Sequence, residues 1–161
     1  MKKLILALMV LPLAFVACKK KDKNNPEPTK EEMLKSGKWK ISKLNFSNTS
    51  GSQDLLGTMA DCDKDNFYYF NADNSITKDE GATKCNSGDP QSTTDGKWLL
   101  ENDNTLLTFK ESSIFGSSST MSVSVVSLSS SNIEFSKDST VTIPGIGTLS
   151  GKFTGTFTNV K

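Results

Sequence analysis

Three cysteines are the residues best suited to do chemistry in this chain. The 161 residues carry a net charge of +1, contain no histidine, and draw all their positive charge from lysine. Histidine is the commonest general base and metal ligand, and arginine is the side chain that binds phosphate through two parallel hydrogen bonds. Without either, the composition argues against an enzyme, a metal or cofactor site, and binding of nucleic acid. We therefore expect a non-catalytic protein.

Cys18 follows a segment typical of an export signal. Two lysines precede an apolar run over residues 4–17, which is shorter than the roughly 20 residues that a membrane-spanning helix needs. The run ends in the residues FVAC at 15–18, which resemble a bacterial lipobox. We expect residues 1–17 to be a signal peptide and Cys18 to be the lipidated first residue of the mature chain. A plain signal peptide is the alternative.

Residues 18–36 are predicted to form a tether behind this anchor. Several acyl chains on Cys18 would hold the protein at a membrane more stably than one chain does. Lysines and two prolines follow, and such a segment builds no core. Thr29 can cap a short helix that reaches Leu34. We expect a lipid-anchored protein of the cell envelope, at the outer membrane, on either its periplasmic or its surface face.

Cys62 and Cys85 are then left as an even pair. An exported domain folds in an oxidising compartment, where such a pair typically forms a disulfide that would stabilise by roughly 3–3.5 kcal/mol. A zinc site would need more ligands, and a redox pair would lie closer in sequence. Asp61, Asp63 and Asp65 resemble the start of a calcium loop, but its glycine and glutamate are missing. We expect a solvated turn there and no metal site.

From Gly37 onward, short β-forming segments alternate with turn residues. No helical period of useful length follows Leu34. The segments lie around Trp39, 67–70, Ile76, 97–100, 106–109, 121–125, 133–135 and 153–157. About eight strands joined by short turns predict an all-β, up-and-down antiparallel barrel over residues 37–161, because closure removes exposed strand edges.

The last two strands predict their own register. Partners across a hairpin share a face, so placing Ile133 opposite Phe157 also places Val141 opposite Leu149 and all large apolar residues on one side. This register needs an odd loop at residues 144–146, or an even turn with one bulge. The apolar tip at 143–146 is then either a barrel lip that contacts a ligand or partner, or an ordinary exposed tip.

Two glycine–lysine–tryptophan triplets, at 37–39 and 96–98, flank Cys62 and Cys85, with the aromatic strand 67–70 between the cysteines. As a set, these motifs resemble the lipocalin-like domain of many small bacterial lipoproteins, over residues 37 to about 160. The resemblance implies an eight-stranded barrel with the two cysteines paired. It also suggests a cavity for a small apolar molecule.

The interior of an eight-stranded barrel is either filled by its own side chains or holds one small ligand. The bulky side chains expected inside are Trp39, Tyr69, Trp98, Phe135, Phe153 and Phe157, and all of these except Phe135 are candidate ligand-binding residues. Gly151 and Gly155 would leave room among them. The serine-rich segment 112–122 predicts a loop, and residues 111–120 would gate the barrel mouth.

The sequence thus predicts a lipid-anchored extracytoplasmic lipocalin-like barrel that binds a small apolar or amphipathic molecule. The alternatives are a filled barrel acting as a cell-surface interaction module for protein or glycan, and an accessory subunit of an envelope complex. A cavity of a few hundred Å3 would favour ligand binding, and an apolar outer patch would favour the interaction module. We expect a monomer whose partners are the membrane, through Cys18, and the small ligand.

Overall fold

The computed structural model describes residues 26–115, 118–143 and 147–161. The predicted signal peptide, the lipidation site Cys18 and the tip residues 144–146 lie outside the described residues. None of the helices within the described ranges is long and apolar enough to cross a bilayer.

The described residues form nine strands and three short helical segments. The helices are α1 (Lys30–Lys35), α2 (Asp61–Lys64) and a 3-10 helix at Leu56–Thr58. The strands are β1 (Trp39–Asn48), β2 (Gly51–Asp54), β3 (Phe67–Phe70), β4 (Ser75–Asp79), β5 (Ser92–Glu101), β6 (Leu106–Ser112), β7 (Ser119–Leu128), β8 (Asn132–Ile143) and β9 (Gly147–Asn159).

Eight of these strands close an antiparallel barrel, which confirms the predicted fold class. β1 and β3 to β9 follow one another in chain order, and β9 pairs back onto β1. β2 is an extra strand that pairs with the second half of β1, from Asn45 to Asn48. β1 meets β3 only at the Trp39–Tyr68 pair. We call the end of the barrel near Trp39 the lower end and the end near Asn48 the upper end.

α1 packs against the lower end of the barrel. Thr29 caps it as predicted, since its Oγ1 accepts from the Glu32 N–H at 3.2 Å while the Glu32 carboxylate accepts from the Thr29 N–H at 2.7 Å. Leu34 is fully buried in the core, and the Trp39 indole N–H donates to its carbonyl at 2.8 Å. α1 therefore folds against the barrel, because it has an apolar side chain to bury.

Aromatic side chains fill the lower half of the barrel. The ring of Phe157 lies at the centre, 5.4 Å from Phe135 and 6.3 Å from both Phe70 and Phe109, measured between ring centroids. Trp98 packs edge-on against Phe70 at 5.8 Å. Such offset and edge-to-face contacts are the favoured geometries of aromatic pairs. This half of the interior is a packed core.

The register of β8 and β9 confirms the hairpin prediction. Ile133 lies opposite Phe157, Val141 opposite Leu149, and the pairing runs to Ile143 opposite Gly147 without a bulge. Three residues, 144–146, separate the two strands, so the connection is odd in length. Ile133 and Phe157 are both buried, as the shared face requires.

The Cys62–Cys85 disulfide is formed, as predicted, and its Cα atoms lie 5.2 Å apart. It ties α2 to the connection between β4 and β5. The predicted solvated turn is instead the short helix α2, and Asp65 after it accepts hydrogen bonds from the N–H groups of Ala82 and Thr83 at 3.0 and 2.8 Å. The disulfide and Asp65 together fix the β4–β5 connection beside α2.

Replacing Leu34 by alanine tests whether α1 belongs to the folded unit. We expect Leu34→Ala to lower the free energy of unfolding by about 2–5 kcal/mol, because it removes a fully buried side chain. Glu31→Ala on the exposed side of the same helix is the control and should cost about 0.5 kcal/mol or less. Urea unfolding of both variants checks this, and equal effects would contradict the packing of α1.

Candidate ligand-binding site

The upper half of the barrel contains a cavity of about 200 Å3 that is partly open to solvent. Side chains from four strands line it: Leu44, Met121, Val123, Phe135 and Phe153. They face inward because residues alternate between the two faces of a strand, and each of these side chains occupies an inner position of β1, β7, β8 or β9. The cavity wall is therefore mostly hydrocarbon.

Two connections add apolar side chains to this wall. Leu55 follows β2, and its N–H donates to the Leu44 carbonyl at 2.9 Å. Phe115 follows β6, and its ring lies 5.4 Å from the rings of Phe109 and Phe135 and 6.2 Å from that of Phe157. Because Phe115 contacts the packed aromatic core and also lines the cavity, it separates the filled lower half from the hollow upper half.

Two glycines on β9 make room for side chains of the protein itself. Gly155 lies opposite Phe135, and a Cβ at this position would overlap the Phe135 ring. A Cβ at Gly151 would overlap the ring of Phe46 in the same way. The expectation that these glycines leave space for a ligand is wrong, since Phe135 and Phe46 occupy that space.

A family model described as a lipocalin-like domain matches residues 36–135. The chain belongs to the lipocalin-like domain family. The match runs from the end of α1 into β8, so the barrel continues past it through the rest of β8 and all of β9. No curated protein matches the chain.

The five candidate ligand-binding residues lie in three different places in the lipocalin-like barrel. Trp39, Trp98 and Phe157 are buried in the packed lower half, and only Phe153 lines the cavity. Tyr69 lies on the outer face of β3, which corrects the prediction that it points inward.

The inward orientation predicted for Tyr69 is wrong because of the sequence of β3 itself. Phe67–Phe70 is aromatic at every position, so its sequence does not show which alternate pair faces the core. Tyr68 and Phe70 take the inner face, opposite Lys78 and Ile76 of β4, and are almost fully buried. Tyr69 must then face outward, where it is half-buried.

Sequence reasoning missed several residues of the cavity, of which Lys137, Ser139 and Phe115 matter most. Lys137 lies opposite Phe153, so the predicted hairpin register already placed it on the inner face. Phe115 was missed because it lies in the serine-rich segment that was predicted to be a loop. The adjacent apolar residue Ile114 indicated that part of this segment could be buried. In the structure Ile114 is 2% exposed, so the described part of this connection packs into the barrel instead of standing over it.

The other side of the upper interior is polar. A second cavity, of about 210 Å3, lies between Tyr68, Lys78 and neighbouring residues. Lys78 forms an ion pair of 2.6 Å with the buried Glu80, and Asp95 accepts a hydrogen bond from the Ser112 hydroxyl at 2.8 Å. Burial, with the carboxylate of Asp95 nearby, raises the pKa of the Tyr68 hydroxyl, so the phenol stays neutral. Because Lys78 and Asp95 already have partners within the protein, the apolar cavity is the better candidate for a ligand site.

The structure offers little for a metal ion. In the described ranges, Cys62, Asp63 and Cys85 are the single group of potential ligand atoms close enough together to hold one. Both sulfur atoms are bonded to each other, so one carboxylate is left, and one carboxylate is too few for a bound cation.

Adding a methyl group at Gly155 tests how tightly the interior is packed between the two halves. We expect Gly155→Ala to lower the free energy of unfolding by about 1–3 kcal/mol, because the Cβ would displace the Phe135 ring. Gly88→Ala is the matched control, since nothing lies within 4 Å of a Cβ at that position. Phe135→Leu should recover part of the loss when combined with Gly155→Ala. Urea unfolding gives the free energy of unfolding of each variant. If Gly155→Ala leaves that free energy unchanged, the close contact between Gly155 and the Phe135 ring is contradicted.

Proposed function

We propose that this protein is a lipid-anchored, extracytoplasmic lipocalin-like barrel that binds a small apolar or amphipathic molecule. The observation that carries the proposal is the apolar, partly open cavity of about 200 Å3 above a packed core. Apolar surface exposed to water costs about 25 cal/mol per Å2, so an apolar group that fills the cavity is bound favourably.

The size of the cavity limits the ligand. Pockets for drug-sized molecules usually have volumes of roughly 300–1,000 Å3, and this cavity is smaller. Phe115 and the aromatic core close it from below. The ligand is therefore a small molecule, or a longer one that inserts one end and leaves the rest outside the upper mouth.

The described residues favour a binding barrel over an interaction module. The module would have a filled barrel and an apolar outer patch. The interior instead has a cavity. Among the described residues, Val126 is the one large hydrophobic side chain that is mostly exposed, at 64%. These two observations make the small ligand the first choice.

A non-catalytic role fits the contents of the cavity. The polar side chains among its described lining residues are Lys137 and Ser139, and catalysis by a serine would need the lysine amine to bond the hydroxyl. The Lys137 ammonium instead donates to the carbonyl of Ser122 at 3.1 Å. We therefore propose binding without a reaction.

A neutral fluorescent probe tests the cavity. We expect N-phenyl-1-naphthylamine to gain fluorescence with the wild-type protein, and Met121→Trp to abolish the gain, because the larger ring fills the cavity that Met121 lines. Tyr69→Trp is the control, since Tyr69 lies on the outer face of β3 and its replacement leaves the interior unchanged. Equal probe binding by Met121→Trp and the wild type would show that the probe binds elsewhere.

The lipid anchor is a separate part of the proposal. It is supported by the signal-like residues 1–17 before Cys18, and the Cys62–Cys85 disulfide suits an oxidising compartment.

We expect radiolabelled palmitate to enter the wild-type chain in a bacterial host and to be absent from Cys18→Ser. Cys62→Ser is the control, because its cysteine lies within the folded barrel and should leave labelling intact. An unlabelled wild-type chain would contradict the anchor and leave the binding proposal standing.

A further inference from the structure

Among the described residues that line the apolar cavity, Lys137 is the one that carries a charge. It is half-buried on β8 and faces inward opposite Phe153, one inner position above Phe135. The side chains around it are hydrocarbon or aromatic, apart from Ser139. Its position is fixed by the same strand alternation that builds the cavity, so a lysine side chain at the cavity wall is a structural feature of this barrel.

The charge of Lys137 has no counterion in the described part of the chain. The ion pairs there join Lys35 to Glu31, Lys64 to Asp61, and Lys78 to Glu80. An ammonium group has three N–H donors, and among the described residues the Lys137 group donates one of them, to the Ser122 carbonyl at 3.1 Å. The group can therefore donate to an anion without breaking an ion pair.

Lys78 provides a comparison within the same barrel. It also faces inward, from β4, and its ammonium lies 2.6 Å from the carboxylate of Glu80, which is 5% exposed. Burial of a charge is costly unless it is paired, and at Lys78 the protein supplies the partner. At Lys137 the described residues supply none, and the open cavity lies in front of it.

We propose that Lys137 selects ligands with an anionic head group, so that the ligand of the apolar cavity is a short amphiphile bearing a carboxylate. This inference rests on the proposed function and adds the ligand class to it. The carboxylate accepts hydrogen bonds from the Lys137 ammonium, with the Ser139 hydroxyl on the same face, while the apolar chain lies among Leu44, Met121 and Phe153. The cavity has the volume of about seven liquid water molecules, which suits a short chain.

Three ligands of the same chain length and different charge test this. Octanoate, 1-octanol and octylammonium are each titrated against the full-length protein with bound N-phenyl-1-naphthylamine, and displacement of the probe gives their affinities. We expect octanoate to bind wild-type protein about two- to fivefold more tightly than 1-octanol, as a partly exposed ion pair allows. Octylammonium should bind more weakly than 1-octanol, because its charge repels that of Lys137.

Lys137→Met replaces the apolar stem of the lysine by one of similar length and removes the ammonium group with its charge. We expect it to reduce the affinity for octanoate to that for 1-octanol, while 1-octanol binding changes by less than about twofold. Unchanged binding of 1-octanol also shows that the variant is folded. Lys137→Arg should retain the preference for octanoate. Lys152→Met is the matched control, since Lys152 is an exposed lysine on β9 and its loss changes the net charge equally.

The outcomes separate this inference from the proposed function. If neither 1-octanol nor octanoate displaces the probe, the proposed function fails, and the inference fails with it. If 1-octanol binds but octanoate binds no better, or if Lys137→Met and Lys152→Met reduce octanoate binding equally, the inference alone is overturned.

Discussion

β9 pairs with β8 along one edge and with β1 along the other, and this double pairing closes the barrel. Its inner face alternates large and small side chains: Phe157, Gly155, Phe153 and Gly151 from the lower to the upper end. Phe157 anchors the aromatic core, and Gly155 admits the ring of Phe135. Phe153 then forms part of the cavity wall, so the order of large and small residues on one strand decides where the barrel is filled and where it is hollow.

The order of large and small residues on the inner face of β9 matters more than how many of each the strand contains. A protein interior packs at the density of an organic crystal, so a ring fits only where the facing position is small. Exchanging the small and large positions would bring Phe135 against another ring and leave a void lower down. The boundary between the core and the cavity is therefore a consequence of register, and the register is set by the shared apolar face of the β8–β9 hairpin.

The parts of the structure that the sequence predicts well are those that depend on local chemistry or on parity. The cap at Thr29, the register from Ile133 to Ile143 and the alternation on β1 all follow from neighbouring residues. Tyr69 could not be placed, because a strand aromatic on both faces has no parity signal. β2 and α2 were missed because their side chains are mostly exposed and polar, and they are held by pairing with β1 and by the Cys62–Cys85 disulfide.

The site was harder to predict than the fold, because bulky side chains in a barrel serve two opposite purposes. Trp39, Trp98 and Phe157 have the size and polarity of ligand-binding residues, yet they fill the interior. What distinguishes the cavity is the charge that interrupts its apolar wall. A lysine on the inner face of a strand is energetically unfavourable for a core unless a counterion pairs with it, as Glu80 pairs with Lys78, or the interior is open beside it. Lys137 therefore marks the hollow end of the barrel, and its position on β8 can be derived from the hairpin register.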